Sequence, residues 1–153
     1  MSMFEHRVPP PLVAVLVGAG MWGLAGLGPR FLLPPGVRWA AVVVLVVVGV
    51  AIAALGIQAF RASRTTVNPL KPEQASALVT GGVYRFTRNP MYVGMACALL
   101  AWAVYLSAVL PFVGVLVFVL FITRFQIQPE ERVLARIFGR EYSAYALRVR
   151  RWL

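Results

Sequence analysis

The sequence contains no aspartate, and only five of its 153 residues are acidic. Histidine and cysteine occur once each, as His6 and Cys97. A structural zinc site takes about four ligands from such residues, and a disulfide needs two cysteines. A single chain can therefore form neither, and we expect no metal partner.

The scarcity of acidic residues leaves a strongly basic chain. Lysine and arginine number 15, which gives a formal net charge of +10. Such a charge can indicate nucleic-acid binding. However, 60% of the residues are hydrophobic and the mean hydropathy is +0.78, well above the values of soluble domains. In membrane proteins, basic residues collect in cytoplasmic loops beside anionic headgroups. We therefore expect membrane lipid as a partner, and no nucleic acid.

Long stretches without charge define the predicted membrane spans. Residues 8–29 and 39–60 carry no charged side chain, and each stretch can cross a bilayer. Residues 91–123 are also uncharged but are too long for one span, and Pro111 predicts that they form a hairpin of two short helices. The sequence thus predicts an all-α integral membrane protein with a single domain over residues 1–153. Its four transmembrane helices are expected near residues 11–28, 39–60, 91–107 and 111–126.

The basic residues also predict the topology. They cluster between the second and third spans and after the fourth, whereas Arg30 and Arg38 lie elsewhere. Cytoplasmic loops carry such an excess of positive charge. We therefore expect both termini and the polar segments to be cytosolic.

The last part of the chain has the pattern of an amphipathic helix, which we predict near residues 130–147. Apolar and aromatic residues recur there at spacings of three and four, with arginines on the opposite side. The apolar positions are Val133, Leu134, Ile137, Phe138, Tyr142 and Tyr145. Such a helix is typical of a membrane interface.

Two polar segments are candidates for chemistry. Asn89 and Pro90 have the residue types that begin a helix, and a helix N-terminus also attracts anions. Glu130 and Glu131 are the only adjacent acidic residues; they suit the first turn of a helix, but a carboxylate can also bind an ammonium group of a ligand. Taken alone, each segment is explained by helix structure at least as well as by function.

Four motifs in order carry a family resemblance. They are Leu78-Val79-Thr80-Gly81-Gly82-Val83-Tyr84, Arg88-Asn89-Pro90-Met91-Tyr92-Val93-Gly94, Glu130-Glu131 and Phe138-Gly139-Arg140-Glu141-Tyr142. Their order and spacing resemble bacterial members of the isoprenylcysteine carboxyl methyltransferase family, which is related to phospholipid methyltransferases. The resemblance covers roughly residues 65–152.

The resemblance implies a membrane-embedded methyltransferase that takes S-adenosylmethionine from the cytosol and a lipophilic acceptor from the bilayer. The methylated group would be a carboxylate, or alternatively an amine or thiol. By position, the residues at the cofactor would be Ser76, Ala77, Leu78, Val79, Tyr84, Arg88, Asn89, Pro90, Met91, Tyr92, Gly94, Glu130 and Glu131. Glu130 would meet the amino group. Methyl transfer from a sulfonium needs positioning and desolvation more than a metal.

The resemblance also implies catalytic and acceptor-binding residues. Asn89 and Arg124 would be catalytic, and the acceptor would meet Arg124, Gln126, Tyr142 and Arg148. Asn89 stands where many relatives have histidine, so this position can form a hydrogen bond but cannot titrate. Gln126 stands near a position where the eukaryotic enzymes carry arginine. Either Arg124 replaces that arginine, or the acceptor is not a prenylcysteine carboxylate.

Two other functions remain open from the sequence. Nicotinamide-dependent sterol-type reductases of membranes resemble this family in their C-terminal half, but this chain is short and lacks a glycine-rich dinucleotide motif. A membrane scaffold without enzymatic activity could use the basic face to bind lipid or a partner. A measurement of S-adenosylmethionine binding would distinguish a methyltransferase from both a reductase and a scaffold.

Overall fold

The protein is all-helical in the computed structural model, which describes residues 8–62 and 77–153. Within these residues 77% are helical and no strand forms. The α-helices are α1 (Pro10–Leu24), α2 (Pro35–Ala62), α3 (Pro90–Leu106), α4 (Pro111–Ile122) and α5 (Gln128–Arg148). A 3₁₀ turn, Gly82–Arg85, precedes α3, and a π-helical turn, Thr123–Ile127, joins α4 to α5.

Prolines stand in the first turn of each of these helices. They are Pro10, Pro35, Pro90, Pro111 and Pro129. A proline is favourable there because its missing N–H would have no partner inside the helix. The hairpin predicted around Pro111 is present, and Ser107 ends α3 in the left-handed conformation with φ 52°. By contrast, α1 ends before the predicted residue 28, where glycines and Pro29 disfavour a helix.

The apolar helices expose their side chains to an extent that water would not favour. α2 and the continuous run Pro111–Arg148 are long and apolar enough to cross a bilayer, whereas α1 and α3 are shorter apolar helices. Only 11% of the most apolar 18-residue stretch of α2 is buried, and Trp22 on α1 is 69% exposed. The core helix of a soluble protein would bury most of this surface, so these helices have the character of helices in lipid.

Glycines allow α2 and α3 to pack closely. A Cβ atom on Gly94 would lie 2.7 Å from the carbonyl oxygen of Gly49, and one on Gly56 would lie 2.8 Å from Cγ of Pro90. Both distances are shorter than real Cβ contacts allow. The backbones of the two helices therefore meet directly, and this contact fixes where α3 begins relative to α2.

Loop contacts define the two ends of the helix bundle. At one end, the amide of Phe31 donates to the carbonyl of Ser107 and the amide of Val109 donates to that of Pro29. At the other end, Nε2 of Gln126 donates to the carbonyl of Val8 at 2.7 Å, and Nε1 of Trp152 donates to Oγ1 of Thr123 at 3.0 Å. Val8 and the last residues of the chain therefore lie at the same end.

The amphipathic segment forms α5, but with a break that the sequence pattern did not predict. Gly139 has φ 50° and ψ −118°, a conformation that disfavours a side chain, so the helix kinks there. Tyr142 and Tyr145 are buried and Arg136 and Arg140 are exposed, but Ile137, which the spacing also placed on the apolar face, is 43% exposed. That α5 lies on a membrane surface stays a prediction.

The contact between α2 and α3 gives a stability prediction. We expect Gly94→Ala to destabilise the protein by about 1–3 kcal/mol, because the new methyl group must push the two helices apart. Gly20→Ala is the matched control, because nothing lies within 4 Å of the Cβ position at Gly20. Thermal unfolding in detergent measures both variants. Equal midpoints for the two variants would contradict the close packing at Gly94.

Candidate functional site

A narrow pocket lies at the bundle end that holds Val8 and the C-terminal residues. It is formed where the turn before α3, the start of α3 and the length of α5 meet, and its cavity volume is about 50 Å³. This is far below the roughly 300–1,000 Å³ of ligand pockets in proteins, so the described side chains leave little empty space in it. Its lining is Leu78, Val79, Tyr84, Arg88, Asn89, Ile127, Glu130, Glu131, Leu134, Tyr142 and Tyr145.

Glu130 is the most unusual group in this pocket. It lies beyond the apolar run that ends at Ile127, and its Oε1 accepts a hydrogen bond of 2.6 Å from the hydroxyl of Tyr92. Burial raises the pKa of Glu130 to about 8, the Tyr92 hydrogen bond acts in the opposite direction, and the charge of Glu131 raises the pKa further. In the described part of the chain no cation forms an ion pair with Glu130. A ligand cation would therefore stabilise its ionised form.

Glu131 has opposite surroundings, because two arginines bind it. Nη2 of Arg88 lies 2.7 Å from Oε1, and Nη2 of Arg151 lies 2.6 Å from Oε2. Nε of Arg151 adds a third bond to Oε1 at 3.0 Å. The side chains of Arg88 and Glu131 are only 12% and 18% exposed. Both carboxylate oxygens of Glu131 are thus occupied, so its role in the pocket is to hold the two arginines.

The turn before α3 is fastened to the C-terminal segment. The amide of Arg88 donates to the carbonyl of Arg150 at 3.0 Å, and Nδ2 of Asn89 donates to the carbonyl of Arg151 at 2.8 Å. Asn89 precedes α3 as predicted, but its side chain does not cap the helix. The backbone N–H of Asn89 donates to Oγ1 of the buried Thr87 at 3.1 Å.

Tyrosines close the pocket on the α5 side. The hydroxyl of Tyr145 donates to the carbonyl of Tyr84 at 2.8 Å, in a buried position. Tyr142 packs edge-on near Tyr145, with 6.4 Å between ring centroids. Burial raises the pKa of Tyr142 to about 12, so its hydroxyl stays protonated at neutral pH. These rings limit the access of water to the pocket.

The structure brings together most of the residues that the resemblance assigned to a cofactor. Those that line the pocket are Leu78, Val79, Tyr84, Arg88, Asn89, Glu130 and Glu131, together with Tyr142 from the acceptor set. Tyr92 reaches the pocket through its bond to Glu130. Pro90 and Met91 form the adjoining first turn of α3, and Ala77 is half-buried just before Leu78. Ser76 lies outside the described residues.

Other residues from those predictions lie elsewhere. Arg124 is exposed, with its guanidinium 5.8 Å from the centre of the Phe125 ring. Gln126 is fully buried and holds Val8. Arg148 lines a separate cleft with Thr80 and Arg85. Gly94 faces α2 rather than the pocket, so its small size serves helix packing.

Sequence reasoning did not assign Ile127, Leu134 or Tyr145 to the site, and it did not predict the contact of Arg151 with Glu131. Leu134 is one helical turn after Glu130, and Tyr145 is one turn after Tyr142, so helical spacing from the two predicted residues could have found them. No helical spacing predicts the contact of Arg151 with Glu131, because the two residues are 20 positions apart and meet only when the chain folds. Within residues 8–62 and 77–153, no group of three or more metal-binding side chains occurs.

The ion pairs of Glu131 give a second stability prediction. We expect Glu131→Ala to destabilise the protein by about 2 kcal/mol, because Arg88 and Arg151 would lose their shared partner, and partial exposure moderates this loss. Glu141→Ala is the control, since Glu141 is exposed, and it should shift stability by at most about 0.5 kcal/mol. Denaturant unfolding in micelles measures both. Equal effects would show that the ion pairs contribute little.

Comparisons with known proteins agree with the motifs. Residues 37–141 match the family model described as phospholipid methyltransferase. A probable protein-S-isoprenylcysteine O-methyltransferase of Oryza sativa subsp. indica is 37% identical over 111 residues, which is 69% of this chain and 56% of the relative. Protein-S-isoprenylcysteine O-methyltransferase B of Arabidopsis thaliana is 36% identical over 92 residues, 57% of this chain and 44% of the relative.

A bacterial protein is also similar. An uncharacterized protein of Haemophilus influenzae is 46% identical over 63 residues, which is 41% of this chain and all of that protein. The chain spans about half the length of the plant relatives that it matches. No solved structure matches the chain significantly. The match to the family model covers more than half of the sequence, and the chain therefore belongs to the phospholipid methyltransferase family.

Proposed function

We propose that the protein is an integral membrane methyltransferase that uses S-adenosylmethionine to methylate a carboxylate on a lipophilic acceptor. Membership of the phospholipid methyltransferase family supports the reaction class. The names of the plant relatives, which are O-methyltransferases of isoprenylcysteine, support an oxygen acceptor on a lipophilic molecule. The pocket at Glu130 supports the position of the site.

The observation that carries this proposal is the carboxylate of Glu130, to which the described residues offer no cation partner. It lies in a pocket that combines apolar and aromatic walls with the polar Arg88-Asn89 turn. S-adenosylmethionine carries an ammonium group, an apolar stem and an adenine ring, so this set of residues fits its chemistry. Glu130 would bind the ammonium group, and Tyr84, Leu78 and Val79 would contact the less polar parts.

When bound, S-adenosylmethionine would supply a methyl group on a positively charged sulfur; the acceptor oxygen would attack the methyl carbon in line while the C–S bond breaks and S-adenosylhomocysteine leaves. The protein's contribution to such a reaction is positioning and the exclusion of water. Tyr92 holds the carboxylate of Glu130 in one orientation. The buried rings of Tyr84, Tyr142 and Tyr145 keep water from the pocket. No residue needs to form a covalent intermediate or bind a metal.

We further propose that α1 to α4 are four membrane spans of one domain over residues 1–153. The pocket, both termini and α5 would face the cytosol of a bacterium, with α5 on the surface of its inner membrane. The support is the distribution of charge, since Arg30 and Arg38 lie near the start of α2 and most other arginines lie at the opposite end. α1, α3 and α4 extend only about 22, 26 and 18 Å by helix geometry, so flanking apolar residues or local thinning of the bilayer would complete their passage.

The acceptor is proposed to reach the pocket from the lipid, with Tyr142 as a contact because it lines the pocket. Arg124 and Arg148 lie outside the pocket lining, so their contacts with an acceptor stay predictions. The side-chain Nε2 of Gln126 already donates to the carbonyl of Val8, and Gln126 lies outside the pocket lining. A contact between Gln126 and an acceptor therefore also stays a prediction. The catalytic roles of Asn89 and Arg124 also stay predictions.

A labelling experiment tests the proposed activity. Purified protein in lipid vesicles should transfer a radiolabelled methyl group from S-adenosylmethionine to an S-prenylated cysteine with a free carboxylate, or to a carboxylate in a total lipid extract. We expect Glu130→Gln to weaken cofactor binding by about tenfold or more, because it removes a charge-assisted hydrogen bond. The exposed Glu141→Gln is the matched control and should behave as wild type. No binding and no transfer by the wild-type protein would refute the proposal.

The pKa of Glu130 predicts how cofactor binding depends on pH. Because this pKa is raised to about 8, the empty pocket holds a neutral carboxyl group below that pH and a carboxylate above it. Binding requires both the carboxylate and the protonated amino group of the ligand, so affinity for S-adenosylmethionine should rise from about pH 6 to about pH 7.5, by up to about tenfold per pH unit. Calorimetry at three pH values checks this dependence. It should disappear in Glu130→Gln, and a flat wild-type profile would contradict it.

A further inference from the structure

Arg151 contacts the site through its side chain and its backbone together. Its guanidinium forms two bonds to the carboxylate of Glu131, at 2.6 and 3.0 Å, and its carbonyl oxygen accepts a hydrogen bond from the side-chain Nδ2 of Asn89 at 2.8 Å. Oγ1 of Thr87 also lies 3.5 Å from that carbonyl. Arg151 does not itself line the pocket. One residue therefore connects two lining residues that come from different elements.

Neighbouring contacts hold the segment around Arg151 in place. The carbonyl of Arg150 accepts the amide of Arg88, the amide of Val149 donates to the carbonyl of Tyr145, and Trp152 is bound to Thr123. Val149 is buried in the same apolar cluster as Tyr84 and Tyr145. The segment is thus part of the packed structure, and Arg151 approaches Glu131 from a fixed backbone.

The charge of Arg151 also matters for Glu130, which is next to Glu131 in the chain. The charged and titratable groups around Glu130 are Tyr92 on α3, Tyr84 in the 3₁₀ turn, Glu131 and Tyr142 on α5, and the two arginines bound to Glu131. The negative charge of Glu131 disfavours ionisation of Glu130. Arg88 and Arg151 offset that charge, so the loss of Arg151 would make Glu130 harder to ionise.

We propose that Arg151 is a positioning residue of the cofactor pocket, which acts through Glu131 and Asn89 without touching the cofactor. This inference rests on the proposed function. The bidentate bond fixes the carboxylate of Glu131, and the backbone that it anchors fixes the side chain of Asn89. The same bond neutralises Glu131, so that Glu130 is the carboxylate available to a ligand cation.

The test compares cofactor affinity in three variants at two pH values. Calorimetry with S-adenosylmethionine on the full chain in detergent is carried out at pH 7 and pH 9.5 on wild type, Arg151→Ala, Arg151→Lys and Arg140→Ala. Arg140 is exposed on α5 outside the pocket lining, so Arg140→Ala removes the same charge at a position away from the pocket. Thermal unfolding of each variant shows whether it is folded.

We expect Arg151→Ala to bind about tenfold more weakly than wild type at pH 7, the loss of one charge-assisted interaction. The ratio of the two affinities should narrow to about threefold or less at pH 9.5, where Glu130 is ionised in both proteins; deprotonation of the ligand's amino group at that pH lowers both affinities alike. Arg151→Lys keeps the charge but not the bidentate geometry, so it should recover part of the affinity at pH 7. Arg140→Ala should match wild type at both pH values.

Different results would overturn different statements. If wild type binds and Arg151→Ala equals Arg140→Ala, the inference about Arg151 is wrong while the proposed function stands. An equal loss at both pH values that Arg151→Lys does not relieve would show a purely structural contact, and would also overturn the inference. If the wild-type protein does not bind the cofactor, the proposed function fails and the inference fails with it.

Discussion

Glu131 accepts hydrogen bonds from two guanidinium groups that reach it from distant parts of the chain. Arg88 stands just before α3, Arg151 follows α5, and Glu131 itself lies in the first turn of α5. Because these groups are mostly withdrawn from water, each charge needs its partners. The arrangement of the turn before α3, the start of α5 and the C-terminal segment depends on this cluster, and these three parts surround the pocket.

The cluster also separates the functions of two adjacent glutamates. Glu131 is bound by two arginines, whereas among residues 8–62 and 77–153 the side-chain partner of Glu130 is the hydroxyl of Tyr92. Adjacent residues on a helix point about 100° apart, so the two carboxylates face different surroundings. Identical side chains thus have different chemistry. Glu131 is held in ion pairs with arginines, whereas the ionised form of Glu130 would be stabilised by a ligand cation.

Helix packing determines where this pocket can form. Gly49 meets Gly94 and Gly56 meets Pro90, so α3 approaches α2 at backbone distance along its first turns. That approach places Asn89 and Tyr92 at the end of the bundle. The π-helical turn Thr123–Ile127 then carries the chain from α4 into α5 and brings Glu130 opposite Tyr92. Such turns are frequent at functional sites, because they redirect a helix without ending it.

The helical class, the charge-free segments and the hairpin at Pro111 could be predicted from the amino-acid sequence, because they depend on composition, on spacings of a few residues and on proline geometry. The Arg88-Asn89 and Glu130-Glu131 motifs were connected with each other through the family resemblance. The packed structure was needed to show that Arg151 binds Glu131, that Gln126 binds Val8, and that Gly94 contacts α2. The hydrogen bonds of Gln126 and Asn89 join residues 118 and 62 positions apart. Such contacts depend on how whole helices pack, because only that packing brings distant backbone groups within hydrogen-bonding distance.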